Sequence, residues 1–219
     1  VTIGVGTGVA ALIAPALGKA AMKIGELIML ATNLQPFLMG IAVSVLVGIA
    51  LTLPISSAAI CAAFGLTGLA GGAAVAGCCA QMVGFAVMSF KENRWGGLVS
   101  QGIGTSMLQM GNIIKNPRIW IAPIVTSAIT GPMATCLFKL QMNGTPVSSG
   151  MGTCGFVGQI GVYSGWVNDI ANGTKAAITG FDWAGMILIS FVLPAVLCPL
   201  INMLLKKIGW VKDGDMKLS

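Results

Sequence analysis

Ile55 to Phe90 reads ISSAAICAAFGLTGLAGGAAVAGCCAQMVGFAVMSF, 36 residues without one charged side chain. As a single helix it would be roughly 54 Å long, well beyond a hydrocarbon core of about 30 Å. It must therefore break. Gly65, Gly68, Gly71 and Gly72 mark where, because glycine weakens a helix and tolerates positive φ. The stretch reads as a short half-helix opening at Ser56 and Ser57, a turn near Gly71, and a span from about Ala73 to Phe90 that carries Gln81. The whole chain has the same character: 219 residues, 56% hydrophobic and 8% charged, where a soluble domain carries about 25% charged residues. The expected class is all-α, a polytopic integral membrane protein with broken helices and re-entrant segments.

Downstream, the clusters Lys91-Glu92-Asn93-Arg94 and Lys115-Asn116-Pro117-Arg118 are both net positive, so both are expected on the cytoplasmic side. A segment with both ends on one side has not crossed. Between them lie Gln101, Gly102, Gly104, Thr105, Gln109, Gly111 and Asn112, too polar for lipid. That predicts a re-entrant segment from the cytoplasm, with an amphipathic surface helix as the alternative. Ile119 to Phe138, interrupted by Pro123 and Pro132, reads as a span delivering Lys139 outside. Residues from Gln141 to Asp182 are polar at both ends and glycine-rich between, with Gln159 and Tyr163, and should dip in from the outside and return. Ala184 to Leu205 is the clearest span, stopped by Lys206-Lys207.

Upstream, Pro36 opens the apolar run Phe37 to Leu53. Before it, Lys19, Lys23, Glu26 and Asn33 share one helical face opposite Ile24, Leu27, Ile28 and Leu30, the pattern of an interfacial amphipathic helix. Residues 1–18, interrupted by Pro15, read as a hairpin arm or the end of a longer span. The start at Val1 without methionine suggests that an N-terminal part of a longer chain is missing. The expected division is a transmembrane transport-type domain over 1–205 and a cytoplasmic tail over 206–219.

One tetrapeptide recurs. Gly-x-Gly-Thr occurs at Gly4-Val5-Gly6-Thr7, at Gly102-Ile103-Gly104-Thr105 and at Gly150-Met151-Gly152-Thr153. Paired glycines beside a hydroxyl in apolar surroundings free backbone groups, which in a membrane must face protein or a polar cavity. Two such segments entering from opposite faces resemble the paired interrupted segments of secondary transporters. The candidate substrate-binding residues are Thr7, Ser56, Ser57, Gln81, Gln101, Thr105, Gln109, Thr153 and Gln159. All are neutral, which suits a neutral polyhydroxylated solute better than an ion. Taken singly, each could equally be a polar side chain bonding between helices.

Other chemistries are set aside. There is no histidine, and no acidic residue lies within a hydrophobic stretch, so no carboxylate proton relay is visible. The six cysteines lie in apolar segments without metal-ligand spacing and are expected reduced and buried. No catalytic residue, metal site or cofactor is assigned. The net charge of +6 sits in clusters beside hydrophobic segments, which speaks for contact with anionic lipid and not with nucleic acid.

The runs Ile3-Gly4-Val5-Gly6-Thr7-Gly8, Thr52-Leu53-Pro54-Ile55-Ser56-Ser57-Ala58-Ala59, Gly77-Cys78-Cys79-Ala80-Gln81-Met82 and Gln101-Gly102-Ile103-Gly104-Thr105-Ser106 resemble the membrane (IIC) component of the bacterial sugar phosphotransferase system, in the branch that includes the perfringolysin-regulator membrane proteins. The resemblance implies sugar uptake coupled to phosphorylation, a homodimer in the bacterial plasma membrane, and phosphotransferase IIA and IIB proteins as partners. Better-known sugar permeases of the system place a histidine and a glutamate near the sugar, and this chain offers neither at membrane depth. Any phosphoryl transfer would be carried by the partners. Two functions follow as expectations: a permease component for a sugar or similar neutral solute, and alternatively a non-transporting membrane sensor that regulates gene expression.

Overall fold

The computed structural model describes residue 15, residues 18 and 19, and residues 21–218. The first Gly-x-Gly-Thr, with Thr7, lies outside the described residues. Among the described residues every regular element is helical, with one isolated antiparallel bridge between Gly68 and Met142.

The centre of the molecule is helix α4, Gly68–Met88, whose apolar window is 94% buried. Its 21 residues span about 31 Å at about 1.5 Å per residue. A helix wrapped on all sides by other helices can be approached closely only where its side chains are small. Gly77 is such a point: a Cβ there would lie 1.9 Å from the carbonyl oxygen of Ser44 on helix α2, Pro36–Thr52. The hydroxyl of Ser44 reaches on to the Ser127 carbonyl at 2.7 Å in helix α7, Ile121–Pro132. A Cβ on Gly131 of that helix would meet the Gly40 carbonyl of α2 at 2.1 Å. Bare glycines thus let α2, α4 and α7 pack backbone to backbone.

The expected break in the 55–90 stretch exists, but earlier than Gly71. Helix α3, Ser57–Ala63, ends at Phe64, and the chain turns through Gly65 and Gly68, at φ +62 and +64. Gly71 and Gly72 remain helical. Their lack of side chains serves packing, since a Cβ on Gly72 would lie 1.8 Å from the Leu140 carbonyl oxygen.

The two ends of α4 define two ends of the molecule. At the Gly68 end, Gly68 and Met142 exchange both backbone hydrogen bonds at 3.0 Å; this is the bridge end. At the Met88 end the chain's last residues are docked; this is the tail end. Pro117–Leu137, which includes α7, runs from the tail end to the bridge end, and Gly180–Lys207 runs back. With α4 these are three helices long and apolar enough to cross a membrane, and the molecule is an all-α polytopic membrane protein. The last crossing comprises α10 (Gly180–Ile187), a π-turn (Leu188–Val192) and α11 (Leu193–Lys207). Pro194, which has no N–H for the Ser190 carbonyl and crowds it, accounts for the widened turn.

Three hairpins complete the molecule, one before α4 and one in each interval between the crossings. The first begins at the bridge end, where the Thr135 hydroxyl donates to the Pro36 carbonyl at 2.8 Å, descends along α2 to Thr52, and returns through α3. The second leaves and re-enters at the tail end: α5 (Phe90–Val99, broken at Arg94 with φ +52), a π-turn (Ser100–Gly104), a 3-10 turn (Ser106–Gln109) and α6 (Met110–Lys115). The third comprises α8 (Pro146–Ser149), a 3-10 turn (Cys154–Phe156) and α9 (Val157–Ala171), and starts and ends at the bridge end.

Three expectations change in detail. The helix over 21–32, α1, exposes Lys23 and Glu26, but Leu27 and Leu30 are exposed too, and its inner face is Gly25, Ile28 and Ala31. Gly25 sits against the Phe64 ring, where only a bare Cα fits. All six cysteines are free, and four are buried. Cys136 is exposed and Cys154 partly so, because one lies on the outer side of the π-turn Met133–Leu137 and the other starts the turn before α9. The segment after Lys207 is packed, with Val211 and Met216 buried.

Candidate functional site

Gln81 occupies α4 about 20 Å from Gly68 and about 10 Å from Met88, and it is fully buried. The tips of the hairpins arrive there. Thr52, at the end of α2, places its hydroxyl 3.3 Å from Gln81 Oε1 and 2.9 Å from the Ser106 hydroxyl, which lies just past the second Gly-x-Gly-Thr. Trp120, ahead of α7, donates its indole N–H to the same Gln81 Oε1 at 2.8 Å. An indole N–H can only donate, so it fixes the amide with its oxygen toward Trp120 and Thr52. Gln81 Nε2 then faces the other way, buried and without a partner among the described residues. An amide N–H2 so placed costs about 1–3 kcal/mol unless something accepts from it.

From the third hairpin, Thr153 comes in beside Met82, the next residue of α4. Its hydroxyl donates to the Gly102 carbonyl at 2.5 Å and lies 3.6 Å from Met82 Sδ, one residue beyond Gln81. The second and third Gly-x-Gly-Thr thus touch, the threonine of one bound to the first glycine of the other. A further polar pair lies beside this point: Gln159 Nε2 donates to Cys79 Sγ at 3.3 Å, while Gln159 Oε1 and the buried Ser190 hydroxyl have no partner among the described residues. Thr52, Gln81, Ser106, Trp120 and Thr153 carry no ionisable group. The cluster offers hydrogen bonds to neutral donors and acceptors, and no proton transfer.

The remaining sequence-derived candidates have structural partners. Ser56 is exposed and caps α3 by accepting from Ala59 N at 3.2 Å, while Ser57 donates to the Gly150 carbonyl at 2.7 Å. Thr105 accepts from Met107 N at 3.1 Å, starting the turn that carries Ser106 inward. Gln101 and Gln109 are brought together, with Gln109 Nε2 donating to Gln101 Oε1 at 2.8 Å, but their other bonds go to Ser89 and the Gly97 carbonyl, and to Asn112 and the Met216 carbonyl of the tail. Thr52, Ser106 and Trp120 escaped the sequence reading of the site. Thr52 and Ser106 stand within the motif runs, Ser106 directly after Thr105; for Trp120 the signal is a tryptophan two residues after a cationic cluster.

A family model described as Phosphotransferase system, EIIC, matches residues 1–218. The chain belongs to this family. Neither the curated proteins nor the solved structures gave a match. As an EIIC chain it is a membrane permease component of the phosphotransferase system, working on a sugar with IIA and IIB partners. Among EIIC chains the histidine-free composition leaves neutral groups as the polar equipment at the point where the hairpins meet.

Proposed function

We propose that this EIIC chain carries a neutral polyhydroxylated solute, a sugar, through the point where Thr52, Gln81, Ser106, Trp120 and Thr153 converge. The reading rests on Gln81 Nε2, two oriented donors that are buried in an uncharged setting without a partner among the described residues, which a solute hydroxyl would satisfy. Around it, Ser106 and Thr52 supply hydroxyls that can donate or accept. The three hairpins act as re-entrant segments, two from the outside and one from the cytoplasm. Movement of their tips relative to α4 exchanges the site between the two faces, as in transporters built on interrupted segments. The tail end, with the C-terminus, is cytoplasmic, residues 1–205 act as one transport domain, and two copies pair in the plasma membrane.

The test is uptake of labelled sugars into vesicles containing the chain, with and without the phosphocarrier proteins. Gln81→Leu keeps volume and removes both donors, and uptake should fall at least about tenfold, the effect of losing one or two buried hydrogen bonds. Uptake at the wild-type rate in this variant would overturn the site. Binding of sugar by the native chain without accumulation would instead favour the sensor that regulates gene expression.

A further inference from the structure

At the bridge end, away from Gln81, a cavity of about 460 Å³ opens between the loop after α7 and the start of α10. Four ionisable groups line it, Lys139, Asp169, Lys175 and Asp182, two of each sign, so its net charge is zero. Lys175 is bound to Asp182 at 2.7 Å and lies 5.7 Å from the centre of the Trp166 ring. Asn143 spans the floor, donating to Asp169 Oδ2 at 2.8 Å and to Gln141 Oε1 at 3.2 Å. These contacts hold the walls yet leave groups facing the cavity: the Lys139 ammonium, the second Asp169 oxygen and the Gln141 amide nitrogen have no protein partner among the described residues. Lys139 moreover sits at φ +46, a left-handed conformation costing about 1 kcal/mol or more in a side-chain-bearing residue.

A cavity of this size holds a small ligand. Balanced charge with free donors and acceptors together selects a neutral molecule bearing several hydroxyls, since an ion of either sign would also meet two groups of its own charge. The floor is mechanically joined to the deep site. Gly161 and Gly165 of α9 pack against Ser148 and Asn143 with no room for a Cβ, and the same hairpin carries Thr153 to Gly102.

We propose that this cavity is a second solute site, where a neutral polyhydroxylated molecule binds before it enters between the hairpins; the order of binding rests on the permease reading, the binding itself does not. The full chain, purified in detergent and lacking the deep-site reporter through Trp120→Phe, is titrated by tryptophan emission with D-glucose, N-acetyl-D-glucosamine, D-mannitol and glucose 6-phosphate. At least one neutral probe should give a saturable change that disappears in Trp166→Phe and weakens about tenfold in Asp169→Asn and in Lys139→Gln. Asp169→Asn keeps an acceptor for Asn143, and the Lys139 ammonium has no partner among the described residues, so both variants should fold. A saturable change that persists in Gln81→Leu while uptake is lost supports two separate sites. Saturation by no neutral probe, by glucose 6-phosphate alone, or with affinity indifferent to both variants overturns the proposal. Saturable binding at the cavity without uptake by the native chain overturns only the permease reading.

Discussion

The two Gly-x-Gly-Thr copies among the described residues are held for different reasons. In Gly150-Met151-Gly152-Thr153 a Cβ on the first glycine would fall 2.6 Å from the Ser57 carbonyl oxygen, and the second glycine stands at φ +52 with Cys78 Cβ 2.6 Å away. In Gly102-Ile103-Gly104-Thr105 the nearest atom to a Cβ on Gly102 is Ala86 Cβ at 3.5 Å, and Gly104 has open space. Gly150→Ala should therefore cost at least about 2 kcal/mol through overpacking against backbone, whereas Gly104→Ala should stay within about 0.5 kcal/mol. Thermal unfolding of the two variants in detergent checks the pair, and equal losses would show that steric crowding is not what separates the motifs. Sequence alone revealed that glycines pair at these points and that hydroxyls sit beside them. It could not reveal which glycine faces a carbonyl, because that depends on a partner such as Ser57 far away in the chain. The same limit hid Trp120, whose role exists only because α7 starts beside Gln81.

At the scale of elements, the second hairpin is a loop of short, irregular helices that leaves Trp95, Val99, Ile103, Met107, Leu108 and Ile114 exposed, and the tail supplies the polar contacts that hold its base. Glu92 accepts from Gly214 N and Met216 N at 2.9 Å each, Asn93 exchanges bonds with Met216 O and Leu218 N at 2.8 Å, and Asn112 donates to the Lys217 carbonyl at 3.0 Å. This network, with Gln109 on Met216, fixes the base of the hairpin whose tip bears Ser106. Glu92→Ala removes a carboxylate that accepts two backbone N–H groups, so stability should drop by about 2 kcal/mol and trypsin should cut at Lys212 and Lys217 faster than in the native chain. Unchanged cleavage would mean that the tail is held by Val211 and Met216 alone. The nearby Lys206 ammonium holds the Asp213 carboxyl below its usual range, but that group is in water and screened, so Lys206→Ala should leave cleavage unaltered. The hairpin itself was legible, since two cationic clusters frame a polar segment too short and too polar to cross. The docking was not, because a charged C-terminal stretch reads as solvated until its backbone is seen filling the amide groups of Asn93, Gln109 and Asn112.

For the whole molecule, charge and geometry agree on one axis. The tail end carries Lys91, Arg94, Lys115, Arg118, Lys206, Lys207, Lys212 and Lys217 against Glu92, Asp213 and Asp215, while the bridge end balances Lys139 and Lys175 with Asp169 and Asp182. An excess of basic residues beside membrane segments marks the cytoplasmic face, so Asn172, on the loop after α9, should be outside and Lys207 inside. Both positions are exposed, and in a Cys136→Ala background the remaining thiols are buried except the partly covered Cys154. A membrane-impermeant maleimide applied to intact cells should label Asn172→Cys well above that background, and Lys207→Cys only after permeabilisation. The reverse pattern would invert the orientation and leave the fold intact. Labelling of both positions from one side would be more damaging, because Gly180–Lys207 joins the two ends: a helix that does not cross would leave the hairpins with no opposed faces from which to meet at Gln81.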